Sequence, residues 1–290
     1  VKASTENAYR PDKRKMRQSF ERAAQYYDAA AVLQREICKR LLARLDYIKL
    51  QPSRVLDIGA GTGLGLAGLR ERYPKAQIYA LDIATAMLVE ARKKQSWLQR
   101  WRRPVRFITA DAEALPLADA SIDLLFSNLT LQWCADLEQT FTEFRRVMKP
   151  GGLLMFTTFG PDTLKELRHC WAEVDGKTHV NRFIDMHEIG DALVRSRLAE
   201  PVMDMEMITM TYADTISIMQ DLKAIGAHNV TSGRARNLTG KGKLQKLVTS
   251  YEQFRNDDVL PVSYEVVYGH AWIADETMPS SVQVPLTQLK

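Results

Sequence analysis

Between Val55 and Gly65 the chain reads V-L-D-I-G-A-G-T-G-L-G, an apolar run that ends in an acid and then breaks into alternating glycines. Glycine reaches positive φ without penalty and lets a backbone approach a ligand closely. A strand that runs straight into such a turn is the first strand-to-helix connection of a doubly wound α/β sheet, whose ligands bind outside the carboxyl ends of the strands. The downstream pattern agrees. Strands are expected at 54–58, 77–82, 105–109, 122–127, 153–159, 203–212 and 264–274, with helical periodicity between most of them. Such alternation with short links implies a Rossmann-like, mainly parallel sheet.

The glycine spacing then restricts the ligand. A dinucleotide fingerprint needs glycines at i, i+2 and i+5, but counting from Gly59 or from Gly61 places the third on Leu64 or Leu66. Asp57 also stands two residues ahead of the first glycine, where its charge would oppose a pyrophosphate at a helix N-terminus. A cationic ligand suits that position better. S-adenosylmethionine carries an ammonium and a sulfonium, so a carboxylate beside the glycine turn favours it.

The whole chain fits that class. Its 290 residues, 46% hydrophobic, suffice for a large core, and no apolar stretch approaches the roughly 18 residues that span a bilayer. The N-terminus lacks a secretory succession, so no membrane partner is expected. Cys38, Cys134 and Cys170 are scattered, which argues for buried thiols in a reducing compartment, the cytoplasm. His169, His179, His187, His228 and His270 show no ligand spacing, so no metal is expected. A net charge of +5 favours an acidic partner without the density of a nucleic-acid binder. Basic residues concentrate at 13–17 and again at Arg234, Arg236, Lys241, Lys243 and Lys246.

Four parts are expected along the chain: an N-terminal tail with cleft-covering helices (1–53), a core that binds the cofactor (54–160), a helical substrate lid (161–200) and a C-terminal completion of the sheet with a basic loop (201–290). The first twelve residues are polar, without period, and read as unstructured. Phe20, Ala23, Ala24 and Tyr27, then Leu33, Ile37, Leu41 and Leu45, repeat at helical spacing. Helices are also expected at 64–73, over much of 162–196 and at 214–225, with Lys149-Pro150-Gly151-Gly152 as a helix stop. A basic loop at 226–243 and a helix ending near Phe254 follow.

Three acids fall at strand ends. Asp57 ends the first, Asp82 closes the second, where an acid accepts from ribose hydroxyls, and Asp111 with Ala112 follows the third, suited to an adenine amino group and ring nitrogen. Together with A-L-D-I, A-D-A-E-A-L-P and V-M-K-P-G-G, the glycine run resembles the class I S-adenosylmethionine-dependent methyltransferases over about 54–160. That resemblance implies cofactor contacts from Asp57, Gly59, Ala60, Gly61, Gly63, Asp82, Ile83, Met87, Asp111, Ala112, Asn128 and Leu129, and S-adenosylhomocysteine as product. Ser127-Asn128-Leu129 lacks the Pro-Pro-aromatic sequence of the nucleic-acid amino-methylating enzymes.

The flanks narrow the acceptor. S-F-E-R-A-A-Q-Y-Y-D from Ser19, S-N-L-T-L-Q-W-C from Ser127, H-V-N-R-F from His179 and L-K-A-I-G-A from Leu222 resemble the malonyl-acyl-carrier-protein O-methyltransferases of early biotin synthesis. Ala60 and Thr62 stand where relatives often have Cys and Pro. The resemblance implies methylation of a malonyl thioester's free carboxylate, which is ionised at neutral pH and needs no general base. Arg182 is then expected to hold that carboxylate, Tyr27 to cap the site, and Gln132 and Trp133 to position the acceptor. An acidic carrier protein would dock on the stretch from Arg234 to Lys246. F-G-P-D-T-L-K-E-L-R from Phe159 also resembles a complex I assembly factor that hydroxylates a partner's arginine, and a non-catalytic cofactor-binding module is a third reading.

Overall fold

A computed structural model describes residues 11–175, 177–226 and 240–274. The expected unstructured tail, apart from its last residues, and the docking residues Arg234 and Arg236 lie outside the described residues.

Among the described residues, three α-helices and a 3-10 turn (Leu45–Tyr47) precede the sheet. In α1 (Lys13–Ala23), capped by Asp12, Met16, Ser19 and Ala23 face inward at helical spacing. A short α2 (Tyr27–Ala30) leads into α3 (Val32–Arg44), which buries Leu33, Ile37, Cys38 and Leu41 on one stripe and carries the polar Gln34 inward with them. The alternating core follows as β1 (Arg54–Ile58), α4 (Leu66–Arg72), β2 (Gln77–Asp82), α5 (Thr85–Lys93), α6 (Trp97–Arg102), β3 (Arg106–Thr109), β4 (Ile122–Ser127), α7 (Leu137–Val147) and β5 (Met148–Phe159). Beyond it come α8 (Lys165–Val174), α9 (Met186–Arg195), β6 (Leu198–Tyr212), α10 (Thr215–Ala224), α11 (Lys241–Tyr251) and β7 (Leu260–Ile273).

The seven strands form one sheet in the order β3-β2-β1-β4-β5-β7-β6. β1 to β5 are parallel, and β7 runs antiparallel to both β5 and β6. Strand order reverses between β1 and β4, which makes the carboxyl ends of those two strands the switch point where a ligand crevice opens. Alternate residues of each strand feed two cores. Val55, Ala80, Leu124, Phe126 and Met155 pack with α3, α4, α8 and α11, whereas Leu56, Ile58, Leu125, Leu154 and Phe156 pack with α7 and α9. Each fully buried side chain of this size stabilises the fold by about 1.5–3 kcal/mol before chain entropy is subtracted.

Several boundaries differ from the sequence reading, among them β7, which starts at Leu260 rather than 264, and α11, which starts at Lys241 inside the expected 226–243 loop. β6 starts five residues before Met203, because Pro201 sits at a register shift between Ala199 and Val202, the one kind of place where an edge strand tolerates proline. Lys149–Gly152 is not simply a stop, since Met148 already pairs with Ile122 and an irregularity absorbs the glycines before Leu153 pairs with Leu124. The first helix of the core is shorter than 64–73, as the glycine turn continues to Gly65.

The segment expected as a helical lid is two helices with a non-helical stretch between them. α8 belongs to one core through Leu167, Cys170 and Trp171, and α9 to the other through Ile189, Ala192 and Leu193. The intervening residues therefore pass from one face of the sheet to the other. Val180 and Phe183 pack on the first side, and Ile184 and Met186 on the second.

Candidate active site

The crevice lies at the switch point. Its walls are the ends of β1 and β2 (Ile58, Gly59, Gly61, Leu81, Asp82, Ile83), the start of α5 (Met87), the turn after β3 (Ala110, Asp111, Ala112) and the turn after β4 (Asn128, Leu129, Thr130, Gln132, Trp133). Met16 and Phe20 from α1, Tyr27 from α2 and Gln34 from α3 add to it, with Cys134, Phe159 and Ile225. Phe20 meets Trp133 edge-on at 5.3 Å between ring centres, so the N-terminal helix closes the side opposite the glycine turn. Glu21 strengthens that seat by accepting from the Thr85 and Ala86 N–H groups at the start of α5.

A narrow recess of about 30 Å³ opens off this crevice beside the glycines, lined by Asp57, Ala60, Tyr27 and Asn128 among others. Asp57 is 2% exposed, and its Oδ2 has no hydrogen-bond donor. Burial, reinforced by the nearby charge of Asp82, pushes its carboxyl up to about 8. Asp82 is also raised by burial, to about 6, but its Oδ2 accepts from the Gly61 N–H and its Oδ1 from the Ala84 N–H, each at 2.8 Å, and these hold the shift down. Gln34 Oε1, a second buried acceptor, likewise lacks a donor. Two buried acceptors without donors, one of them a carboxylate, fit a ligand ammonium, and S-adenosylmethionine brings one.

Gly59, Gly61 and Gly63 all have positive φ. Gly59 and Gly61 line the crevice, whereas Gly63 instead closes the turn through its N–H to the Ala60 carbonyl. Asp111 lines the crevice but accepts from Lys13 Nζ at 2.5 Å and from the Glu113 N–H. An adenine amino group would share Asp111 with that lysine or displace it. Sequence reasoning did not foresee Lys13, Gln34 or Thr130; of these only Gln34, polar within the Leu33-Ile37-Leu41 stripe, carried a signal.

On the acceptor side Gln132 is fixed at both ends. Its Nε2 donates to the Leu129 carbonyl at 2.7 Å, and its Oε1 accepts from Thr158 Oγ1 at 3.2 Å. Burial, helped by Asp82 and Asp28, raises the Tyr27 phenol above its ordinary value, so it stays neutral. Tyr27, Gln132 and Trp133 are thus brought together, but Arg182 is not with them. It lines an adjoining cavity that shares Gln132 and Cys134 with the crevice. All three cysteines are buried free thiols, and no cluster of metal-ligating groups occurs among the described residues.

Residues 56–156 match the family described as a methyltransferase domain. A malonyl-acyl-carrier-protein O-methyltransferase of Gallionella capsiferriformans is 56% identical over 268 residues, covering 92% of both chains. The chain belongs to that family. A second member, from Nitrosospira multiformis, is also 56% identical, over 90% of this chain and 89% of its own. Among solved structures, the YcgJ protein of Bacillus subtilis shares the fold with a TM-score of 0.57 at 16% identity, covering 82% of this methyltransferase and 99% of that chain. No helix among the described residues of this family member is long and apolar enough to cross a membrane.

Proposed function

We propose that the protein transfers a methyl group from S-adenosylmethionine to the free carboxylate of malonyl-acyl-carrier protein in the cytoplasm, giving the methyl ester that enters biotin synthesis. The observation that carries this reading is the buried Asp57 carboxyl, its Oδ2 without a donor at the end of β1 beside the glycine turn, in a chain 56% identical over 268 residues to a protein of that name. When bound, S-adenosylmethionine supplies an electrophilic methyl for in-line displacement. Everything else falls to position. Asp57 and Gln34 would hold the ammonium, Asp82 the ribose, and Ala112 with Met87 the base. Gln132, immobilised at both ends, sets the edge at which the acceptor carboxylate arrives, and Phe20 against Trp133 keeps water out.

The malonate carboxylate is already an anion, so a neutral Tyr27 serves as a donor rather than a base. Arg182, in the cavity across Gln132, is the cation that would select it. The test is to incubate the protein with S-adenosylmethionine and malonyl-carrier protein and look for an added methyl released by ester hydrolysis. The wild type is expected to form it, and Arg182→Ala to lower kcat/KM by about 10²-fold or more, the loss of a charge-assisted contact worth roughly 2–3 kcal/mol. Ester formation at the wild-type rate by that variant would remove Arg182 from this role.

Carrier docking rests on α11, whose exposed Lys241 and Lys246 face no acid in their own helix, while Lys243 is partly committed to Asp175 at 2.6 Å. Charge reversal at Lys241 and Lys246 is expected to raise KM for the carrier-bound substrate and flatten its salt dependence, measured between low and physiological ionic strength, without changing kcat. An unchanged salt slope would place docking elsewhere.

A further inference from the structure

The crevice does not end at Gln132. It shares Gln132 and Cys134 with the cavity that Arg182 lines, and that cavity shares Arg182, Phe183 and Glu188 with a third, of about 620 Å³, between α8 and the segment that crosses the sheet. The three form a series from the site of chemistry to the surface beside α11. In the outermost one Trp171 and His179 stack at 3.7 Å and 10° to make a flat wall. Arg168 lies in the same lining, its Nη1 donating to the Pro161 carbonyl and its Nη2 to the Thr163 carbonyl.

Both partners of Arg168 are neutral. Among the described residues no carboxylate comes within ion-pair distance of it. Arg168 is exposed at the mouth of the cavity; partial burial of its guanidinium lowers its pKa, and the charge of Asp162 works against that shift. The acids nearby are otherwise engaged: Asp162, whose charge reaches Arg168, by Lys165 at 3.7 Å, Asp175 by Lys243 and His179, and Asp185 by His187. Glu188 borders the junction with the middle cavity, and the exposed Lys177 adds a further cation to Arg168 and Arg182 in the outer lining. A pre-oriented guanidinium with no anion of its own, in a cavity with a flat aromatic wall, is built to receive a phosphate ester attached to an apolar or amide-bearing stem.

Both ends of this route are anchored to one chain segment. Thr158 holds Gln132 at the inner end and Pro161 holds Arg168 at the outer end. Those two anchor residues are three apart on one chain segment, at most about 10 Å of extended backbone. We infer that the carrier's phosphopantetheine arm runs through this series of cavities, with its thioester end beside Gln132 and its phosphodiester on Arg168. The inference rests on the proposed function, and it adds a specificity residue that acts on the arm rather than on the malonyl group. It also connects the docking helix to the crevice, because Lys243 of α11 and His179 of the aromatic wall meet on the same carboxylate, Asp175.

The experiment compares three malonyl thioesters: carrier-bound, coenzyme A, and N-acetylcysteamine, the last without a phosphodiester. Arg168→Gln is expected to raise KM about tenfold or more for the two phosphate-bearing substrates, with kcat kept, and to leave the N-acetylcysteamine ester within about twofold; Arg168→Lys should recover most of the loss. An equal change on all three substrates, or none on the phosphate-bearing pair, overturns the arm route. Lys177→Glu, on an exposed side chain with little to disturb, should shift the same two KM values in the same direction, so that poor folding of an Arg168 variant leaves the proposal open to refutation. Wild-type protein that methylates none of the three would instead overturn the proposed function itself.

Discussion

Asp57→Asn is expected to abolish most S-adenosylmethionine binding while removing a pH dependence from the stability of the ligand-free protein. In the folded state burial keeps the proton on Asp57 up to about 8, whereas an unfolded chain releases it near 4. Between those values the folded form binds more protons than the unfolded one, so raising the pH costs the folded state at most about 1.4 kcal/mol per pH unit for one proton. Asp82, raised to about 6, adds to this slope only at the acid end. Urea unfolding of the ligand-free protein between pH 6 and 8 should therefore show the wild type losing stability and Asp57→Asn remaining nearly flat.

Ligand binding reverses the sign. An ammonium against Asp57 favours its charged form and releases the proton, so affinity should tighten as pH rises toward 8. Calorimetry in buffers of different ionisation enthalpy should show up to one proton released near pH 7 by the wild type and none by Asp57→Asn. The affinity loss in the variant should be on the order of 10²-fold or more, as for other buried charge pairs deprived of one partner. Equal affinity in the two proteins, or parallel pH profiles, would mean that Asp57 does not hold the ammonium.

The elements legible in the sequence are those whose information is local. β1, β2 and β4 were readable to the residue because short apolar runs end at a glycine, an acid or the polar Ser127-Asn128, and the glycine turn placed the crevice at their carboxyl ends. The antiparallel insertion of β7 between β5 and β6 was not readable, since nothing in a strand's own composition says which neighbour it will take. The crossing segment reads as helical in the sequence because the periodicity of α8 and α9 is strong on either side of it. Its break is set by the need to pass between two cores, a tertiary requirement. The guanidinium of Arg182 suits a carboxylate, yet whether it reaches the crevice or the adjoining cavity depends on that crossing. Lys13 on Asp111 joins positions 98 residues apart, and no pattern in either segment announces the contact.

Gly59→Ala is expected to be the most damaging single methyl group in the crevice. Gly59 has φ +67°, which costs an L-residue roughly 1–2 kcal/mol, and a Cβ built on it would come within 1.9 Å of Thr130 Oγ1 and 2.8 Å of Thr130 Cβ. Thr130 has little freedom to withdraw. It is β-branched, and its hydroxyl donates to the Ile58 carbonyl at 3.1 Å, tying the turn after β4 to the end of β1. Relief must come from moving one of the two turns that together form the floor of the crevice, at a further cost of about 1–3 kcal/mol. A double-mutant cycle separates the two contributions. Gly59→Ala alone should lower the unfolding midpoint by several degrees and reduce cofactor affinity by at least about tenfold, while Gly59→Ala combined with Thr130→Gly should regain the clash component and keep the φ penalty. If the two changes proved additive, the close approach of these turns would not be what requires glycine at position 59, and the backbone conformation alone would account for it.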